Sequence, residues 1–446
     1  MESGKIIFIT SYYIEWQKIC QLQFMQIFFS LITLLAVLTS PTQNDKKLRY
    51  EDWSYEPEIR TVMIYPYTGR PQDMLQPPIA PLNGQNLVLE FDDLVNAPEN
   101  YRVRLIHCNA DWKPSGLKPL DYLYDYNEFN INQYQFSVDT KLAYIHYRFQ
   151  LPSVKIPGNY LLVAYREGND KDIILTKRFM IFANGVSIGL NSNMTNVTAI
   201  SRMNQQLDFV VNYREFPMQN PMEQVVVVIR QNQRWDNAIT IKRPTFFRDI
   251  DKMLEYRFFA EDDYFSGGNE FRFFDMRSLR SPGQNVAYTD LDKRPTRVVL
   301  GKDLPRTFEV YSVLRDLNGD FIIANLDTGN GVVESDYVET IFTLEAERIS
   351  GDIYVVGKMN NYHYTPENKM TYDASRGIYS GRQILKQGWY DYQYVVKNDT
   401  LKQNYFEGDH FETENEYEIL VYYSPYDMRG DQLIGYRRIV LNERLR

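Results

Sequence analysis

From Lys46 onward the chain shows no sustained apolar period of 3.6 residues; apolar residues recur at alternate positions instead. That alternation predicts strands with one face in a core and one face outside. After an Asn83-Gly84 turn, Leu87, Leu89 and Phe91 fall on one face. Tyr101, Val103, Leu105 and His107 share another, with Arg102 and Arg104 opposite. The runs YLLVAYRE and KRFMIF then close a seven- or eight-strand sandwich ending near Ala183. Turn signals recur at the spacing such sandwiches require.

A second segment opens at Asn184 with the polar stretch NGVSIGLNSNMTNVT before strands return. Val225–Ile229 predicts a central strand, because β-branched residues fill both its faces. LEYRFFA and NEFRFFDM read as an alternating pair around Gly267-Gly268, and residues 279–295 as a long loop. Asn318-Gly319, set in FEVYSVLRDLNGDFIIANL, predicts a hairpin. A third segment starts near Glu334 with TIFTLEAE, DIYVVGKMNNY, GIYSGRQILKQGWYDYQYVVKN and EYEILVYY, and LIGYRRIVL adds one more strand to it. Strand-rich blocks without interleaved helices indicate tandem all-β domains rather than an α/β enzyme. The expected segments are 44–183, 184–333 and 334–446, each a β-sandwich.

Residues 1–43 are expected to precede the folded protein. The apolar run Ile27–Leu38 is too short for a membrane-crossing helix, which needs about 20 residues. Its length, and the Thr39, Ser40 and Pro41 that follow, fit a secretory signal peptide. Met25 immediately precedes the run, so it is the expected true start, the first 24 residues being a misassigned extension.

Composition narrows the function. Aromatic residues make up 15% of the chain, with 35 tyrosines and 25 phenylalanines, which suits ring packing across pleated strands. A net charge of -9 argues against nucleic acid, whose phosphates call for concentrated lysine and arginine. The two cysteines, Cys20 and Cys108, cannot form a disulfide framework, and Cys108 is expected to be a buried, reduced thiol.

Candidate chemistry is sparse. Gly185-Val186-Ser187-Ile188-Gly189 matches the G-x-S-x-G elbow of α/β-hydrolases, but the residues after it make a poor helix and the fold lacks the alternating helices. It reads as a boundary turn. His107, Cys108 and Asp111 contain metal-ligating types, yet neighbours on a strand point to opposite faces, so His107 and Cys108 do not share a ligand sphere. Asn109 and Asp111 are expected to turn the chain, with Trp112 over the end of the sandwich core. The acidic stretch Glu407–Glu418, which contains His410, matches no calcium loop and reads as a solvated strand edge. Asp316, Asn318 and Asp320 open like a calcium loop, but Asp327 stands where the closing glutamate belongs. Carboxylate groups such as Asp249 with Asp251, and Glu261 with Asp262 and Asp263, fall in turns. Arg429-Gly430-Asp431 is read as a chance adhesion tripeptide. No cofactor and no catalytic residue are expected.

The stretch RLIHCNADWKPSGL, continuing into KLAYIHYRFQLP and PGNYLLVAY, resembles the first domain of type IX secretion plug proteins, found in Bacteroidetes. His107, Cys108, Asn109, Asp111, Trp112, His146 and Tyr147 carry that resemblance as structural motif residues. The third segment resembles the early-set immunoglobulin-like domains that bind α-glucans beside glycogen-active enzymes, and plug proteins carry a related unit. What this implies is a periplasmic, non-enzymatic protein that is not itself embedded in the membrane. It would dock on the inner opening of a large outer-membrane barrel translocon of the SprA type and seal it. The alternative is a periplasmic or secreted α-glucan-binding protein. Against that alternative, Tyr362 stands where the glucan binders tend to carry tryptophan, and KNDTLKQN has no aromatic residue. Trp389 suits a core as well as a sugar platform.

Overall fold

The computed structural model describes residues 46–190, 203–257 and 264–443. The Ile27–Leu38 run, Met25, Cys20 and the 261–263 acidic group lie outside them. Among the described residues no helix is long and apolar enough to cross a membrane.

The alternation read from the sequence becomes strand burial. Tyr101–Cys108 buries Tyr101, Val103, Leu105 and His107, while Arg102 and Arg104 are half-buried on the opposite face. This strand lies in a sheet ordered Trp53–Ser54, Ile173–Phe182, Gly158–Arg166, Tyr101–Cys108, Phe129–Ile131, with Ile79–Pro81 joined to Ile173–Phe182. The facing sheet runs Ile59–Pro66, Leu87–Asp93, Ile145–Gln150, Gln133–Phe136. Leu89, Phe91, Leu105, Tyr147, Leu162 and Phe179 fill the space between them. Each such aliphatic or aromatic side chain removed from water contributes about 1.5–3 kcal/mol.

The remaining chain forms two more sandwiches, and their strands do not follow the expected cut between 333 and 334. Val225–Gln231 is paired over its full length with Asn415–Tyr423, which pairs in turn with Gln432–Leu441. Arg297–Asp303 pairs with Tyr337–Glu345 across the same cut. The middle core therefore gathers residues from 188–265 and 417–441, and a third core, 274–406, is inserted between those halves. EYEILVYY and LIGYRRIVL, expected in the third sandwich, belong to the middle one. Period-two alternation gives the face of a strand but not its partner, and these partners are distant in sequence.

Two expected hairpins also fail to form. Met253–Tyr256 pairs with Phe209–Asn212 and Arg272–Asp275 with Gly388–Lys397, so the Gly267-Gly268 turn links different sandwiches. On the far side of Asn318-Gly319, Phe321–Ile323 pairs with Gly388–Lys397, while the residues before that turn form no strand. Phe308 there is 100% exposed. The 279–295 loop contains the strand Val286–Asp290.

Three runs that break alternation meet at one place. Gly158–Arg166 is buried at every residue except its last, and Val225–Gln231 and Asn415–Tyr423 are nearly as buried. A single cluster unites Cys108, Leu161, Val163 and Met180 of the first sandwich with Val228, Leu420, Tyr422 and Leu433 of the middle one. These strands are apolar on both faces because one face lines their own core and the other lines the joint.

Candidate functional site at the joints between sandwiches

Several of the residues singled out in the sequence lie at the joints, where they contact groups of another sandwich. Asn109 turns the chain after the Tyr101–Cys108 strand: its N–H donates to the Lys113 carbonyl (2.8 Å) and its carbonyl accepts from the Trp112 N–H (2.9 Å). The turn places Trp112 in the left-handed region at φ 61°, which a non-glycine residue adopts only when its surroundings hold it there. Trp112 is not over the end of the first core. Its ring stands edge-on to Trp235 of the middle sandwich, centroids 5.0 Å apart, beneath the Arg178 guanidinium at 4.7 Å. Asp111, by contrast, points outward and pairs with Lys113 at 2.7 Å.

The same turn grips the Arg429-Gly430-Asp431 loop. The Asp431 carboxylate accepts from the Ala110 N–H at 2.9 Å and from the Ser424 hydroxyl at 2.5 Å. The Asp431 N–H donates to the Asn109 side chain at 3.1 Å, and the Gly116 N–H donates to the Arg429 carbonyl at 2.7 Å. Gly430 permits the approach, since a Cβ there would meet Leu117 at 2.9 Å and His107 at 3.1 Å. The tripeptide is thus a structural clasp between sandwiches.

His107 and Cys108 do face opposite ways. His107 lies between Tyr122 and Tyr160, centroids 5.9 and 5.1 Å away, with Nδ1 2.9 Å from the Ser115 hydroxyl. Burial drives its pKa down to about 4, against the pull of the Pro157 carbonyl, so the ring is neutral at physiological pH. Cys108 is buried on the joint side, and burial pushes its thiol up to about 12. Neither is poised for nucleophilic work, which needs a thiolate or an accessible base.

His146 belongs to a second joint, between the first and the inserted sandwich. Asp92 receives His146 Nδ1 at 2.8 Å, the Tyr337 hydroxyl at 2.7 Å and the Lys386 ammonium at 2.6 Å. Burial opposes the Asp92 charge, yet Lys386 and His146 hold its carboxyl below the usual range. Tyr147, beside His146, stacks on Phe91 at 5.0 Å inside the first core. Sequence reading could not have found this network, because Asp92, Tyr337 and Lys386 carry no local motif.

The acidic 407–418 stretch is not a solvated edge. Glu407 is buried with Arg272 at 3.0 Å and Arg306 at 2.6 Å. Although burial resists its charge, the two guanidinium groups bring its pKa to about 2. Glu418 pairs with Arg230 at 2.6 Å, the two side chains 0% and 1% exposed, and Glu416 pairs with Arg438. Each of these buried carboxylates carries its own arginine, the condition under which a buried charge is tolerated. Asp316 accepts from the backbone N–H groups of Phe271 and Asn318; Asp320 pairs with Lys358. Among the described residues no group of three or more His, Cys, Asp and Glu is placed to hold a metal ion.

A cavity of about 330 Å³ lies where all three sandwiches meet, lined by Asp52, Lys177, Arg234, Trp235, Lys358 and Tyr362 among others. Three ion pairs already form in its wall. Lys177 pairs with Asp52 at 3.0 Å, Arg234 with Asp236 at 2.6 Å, and Lys358 with Asp320. Tyr362 is buried here under the Arg234 guanidinium, 4.3 Å away, and offers no surface platform to a sugar. Trp389 is half-buried and stacks on Phe273 at 4.5 Å. Ser187 is an exposed residue on the strand Ser187–Leu190 rather than at the apex of a turn.

These features define an all-β protein of three β-sandwiches whose buried polar groups lock the sandwiches together. Residues 59–183 match the family model described as "Type 9 secretion system plug protein 1st domain". The first sandwich is thus similar to the first domain of the plug proteins of the type IX secretion system. The matched stretch contains all seven motif residues, from His107 to Tyr147. Among solved structures, a hypothetical protein from Parabacteroides merdae ATCC 43184, crystallised at 2.30 Å resolution, has a TM-score of 0.81 and 28% sequence identity. The match covers 88% of this chain and 100% of that one. No curated protein matches.

Proposed function

We propose that the protein is a non-enzymatic periplasmic plug that docks on the inner mouth of a SprA-type outer-membrane translocon and closes it while no substrate passes. The match of residues 59–183 to the plug first domain carries this reading. The joints support it, since a stopper must keep its shape under load. Contacts such as the buried pair of Asp92 with Lys386 and the bond from the Ala110 N–H to Asp431 fix the sandwiches against one another, and a pre-ordered surface loses less entropy on docking. The test is affinity purification of the tagged full chain from membranes of its own bacterium, joined to a permeability assay on a deletion strain. A large barrel protein should co-purify, and the deletion should leave the outer membrane leaky only where the translocon is present. Absence of the barrel, together with unchanged permeability, refutes the proposal.

A further inference from the structure

One edge of the first sandwich is both uncharged and exposed along its whole length. Gln133–Phe136 is the outermost strand of its sheet, bonded on one side to Ile145–Gln150 and exposed at all four residues. The alternate backbone N–H and C=O groups that turn away from that partner meet no protein group among the described residues. From Phe129 to Val138 the chain carries no charge and no proline. Proteins ordinarily protect such edges with charge, proline, bulges or cover. Several other edges obey that rule: Gln432–Leu441 carries Arg437 and Arg438, Phe246–Arg248 carries Arg248, and Val286–Asp290 ends in an aspartate. Uncharged edges such as Phe129–Ile131, Ile239–Ile241 and Phe321–Ile323 have three residues each and are partly buried. The edge at Ser187–Leu190 is partly covered by Arg437, whose guanidinium takes the Ile188 carbonyl.

The unprotected edge also continues into an apolar surface. Tyr134 and Phe136 are 46% and 53% exposed and rest edge-to-face, 5.9 Å apart. Beyond them the Val138 N–H donates to the Val333 carbonyl of the inserted sandwich at 2.8 Å. That bond sets exposed Val138 beside exposed Val332, so the patch crosses a joint that Asp92 and Lys386 keep closed. A free ladder of backbone groups selects its occupant by chemistry: only another extended polypeptide backbone offers the matching donors and acceptors.

We propose that Gln133–Phe136 is the docking edge of this protein, where an extended, uncharged strand of the translocon adds to the first sandwich and lays alternate side chains on Tyr134, Phe136 and Val138. The inference rests on the plug reading and names the surface that reading leaves open. The experiment uses the full chain and detergent-solubilised translocon from the same bacterium, immobilised. Hydrogen exchange is followed at residues 133–136, and binding is compared for the wild type, the Tyr134→Lys/Phe136→Lys pair and Phe308→Ser. Amide exchange at 133–136 should slow on binding, and the lysine pair should weaken binding at least about tenfold. Phe308→Ser, altering an exposed residue of the inserted sandwich, should bind as the wild type does. Unchanged exchange at 133–136 while the wild type binds overturns this inference and leaves the plug reading standing. Failure of the wild type to bind overturns both. A wild-type dimer in ultracentrifugation that the lysine pair dissolves assigns the edge to a second copy, and also overturns it. The exchange measurement needs no variant, so misfolding of the lysine pair would not spare the proposal.

Discussion

Lys386→Met tests whether the buried network holds the first and inserted sandwiches together. The Lys386 ammonium donates to Asp92 at 2.6 Å, with the two side chains 2% and 1% exposed. It also donates to the Val332 carbonyl at 2.7 Å and lies 4.2 Å from the Tyr144 ring centre. Methionine nearly matches the volume of lysine, so the cavity contribution is small and the loss is electrostatic. Asp92 keeps the bonds from His146 and Tyr337 but faces burial without its cation. Removing one member of a buried pair costs about 3–5 kcal/mol, much of it the penalty for the charge left behind. The double change Asp92→Asn/Lys386→Met removes that charge, and the amide can still accept from Tyr337. The double variant should therefore recover most of the loss and lie within about 1.5 kcal/mol of the wild type. Urea unfolding followed by tryptophan fluorescence and far-ultraviolet dichroism reads both quantities. The single variant should also separate the two signals, because a loosened joint lets one sandwich unfold before the other. A loss below about 1 kcal/mol for the single variant, or a double variant as unstable as the single, refutes this account of the joint.

Two further outcomes follow from the first joint. His107 is held neutral with a pKa of about 4 against an ordinary 6.5, so the unfolded chain binds the extra proton between these values. Its contribution is complete above pH 6.5 and is lost as the pH falls toward 4, amounting to about 3 kcal/mol; a His107→Asn variant should show a flatter stability profile over that window by chemical denaturation. Cys108, buried in the joint with its thiol pushed up to about 12, should resist a thiol-reactive dye in the native protein and react fully in denaturant, and fast native labelling would show that the joint opens.

The sequence was most legible where structure is local. Alternation gave the correct inner face of Tyr101–Cys108, and the β-branched run at Val225 gave a central strand, flanked in the structure by Ile239–Ile241 and Asn415–Tyr423. It was least legible where partners are remote. The carboxylates of 407–418 look like a solvent-facing run until Arg272, Arg306, Arg230 and Arg438 are seen beside them. Asn318-Gly319 makes its turn, but the Asp316 carboxylate is held by the Phe271 N–H and the preceding apolar residues find no sheet. Of the motif, the opposite facing of His107 and Cys108 was readable from strand geometry; the destination of Trp112 was not, because Trp235 belongs to another sandwich.

The interleaving of the middle and inserted sandwiches also dictates an order of assembly. As the polypeptide emerges, the VVVVI strand is made early but must wait for Asn415–Tyr423, its partner over seven residues. Until then one side of this β-prone segment is unpaired, an edge of the kind that aggregates or attracts proteases and chaperones. A ribosome that stops shortly before Asn415–Tyr423 and Gln432–Leu441 would release a chain with two finished sandwiches and one unclosed. Closure of the middle unit thus waits on segments nearly two hundred residues downstream, and Asn415–Tyr423 serves as its keystone.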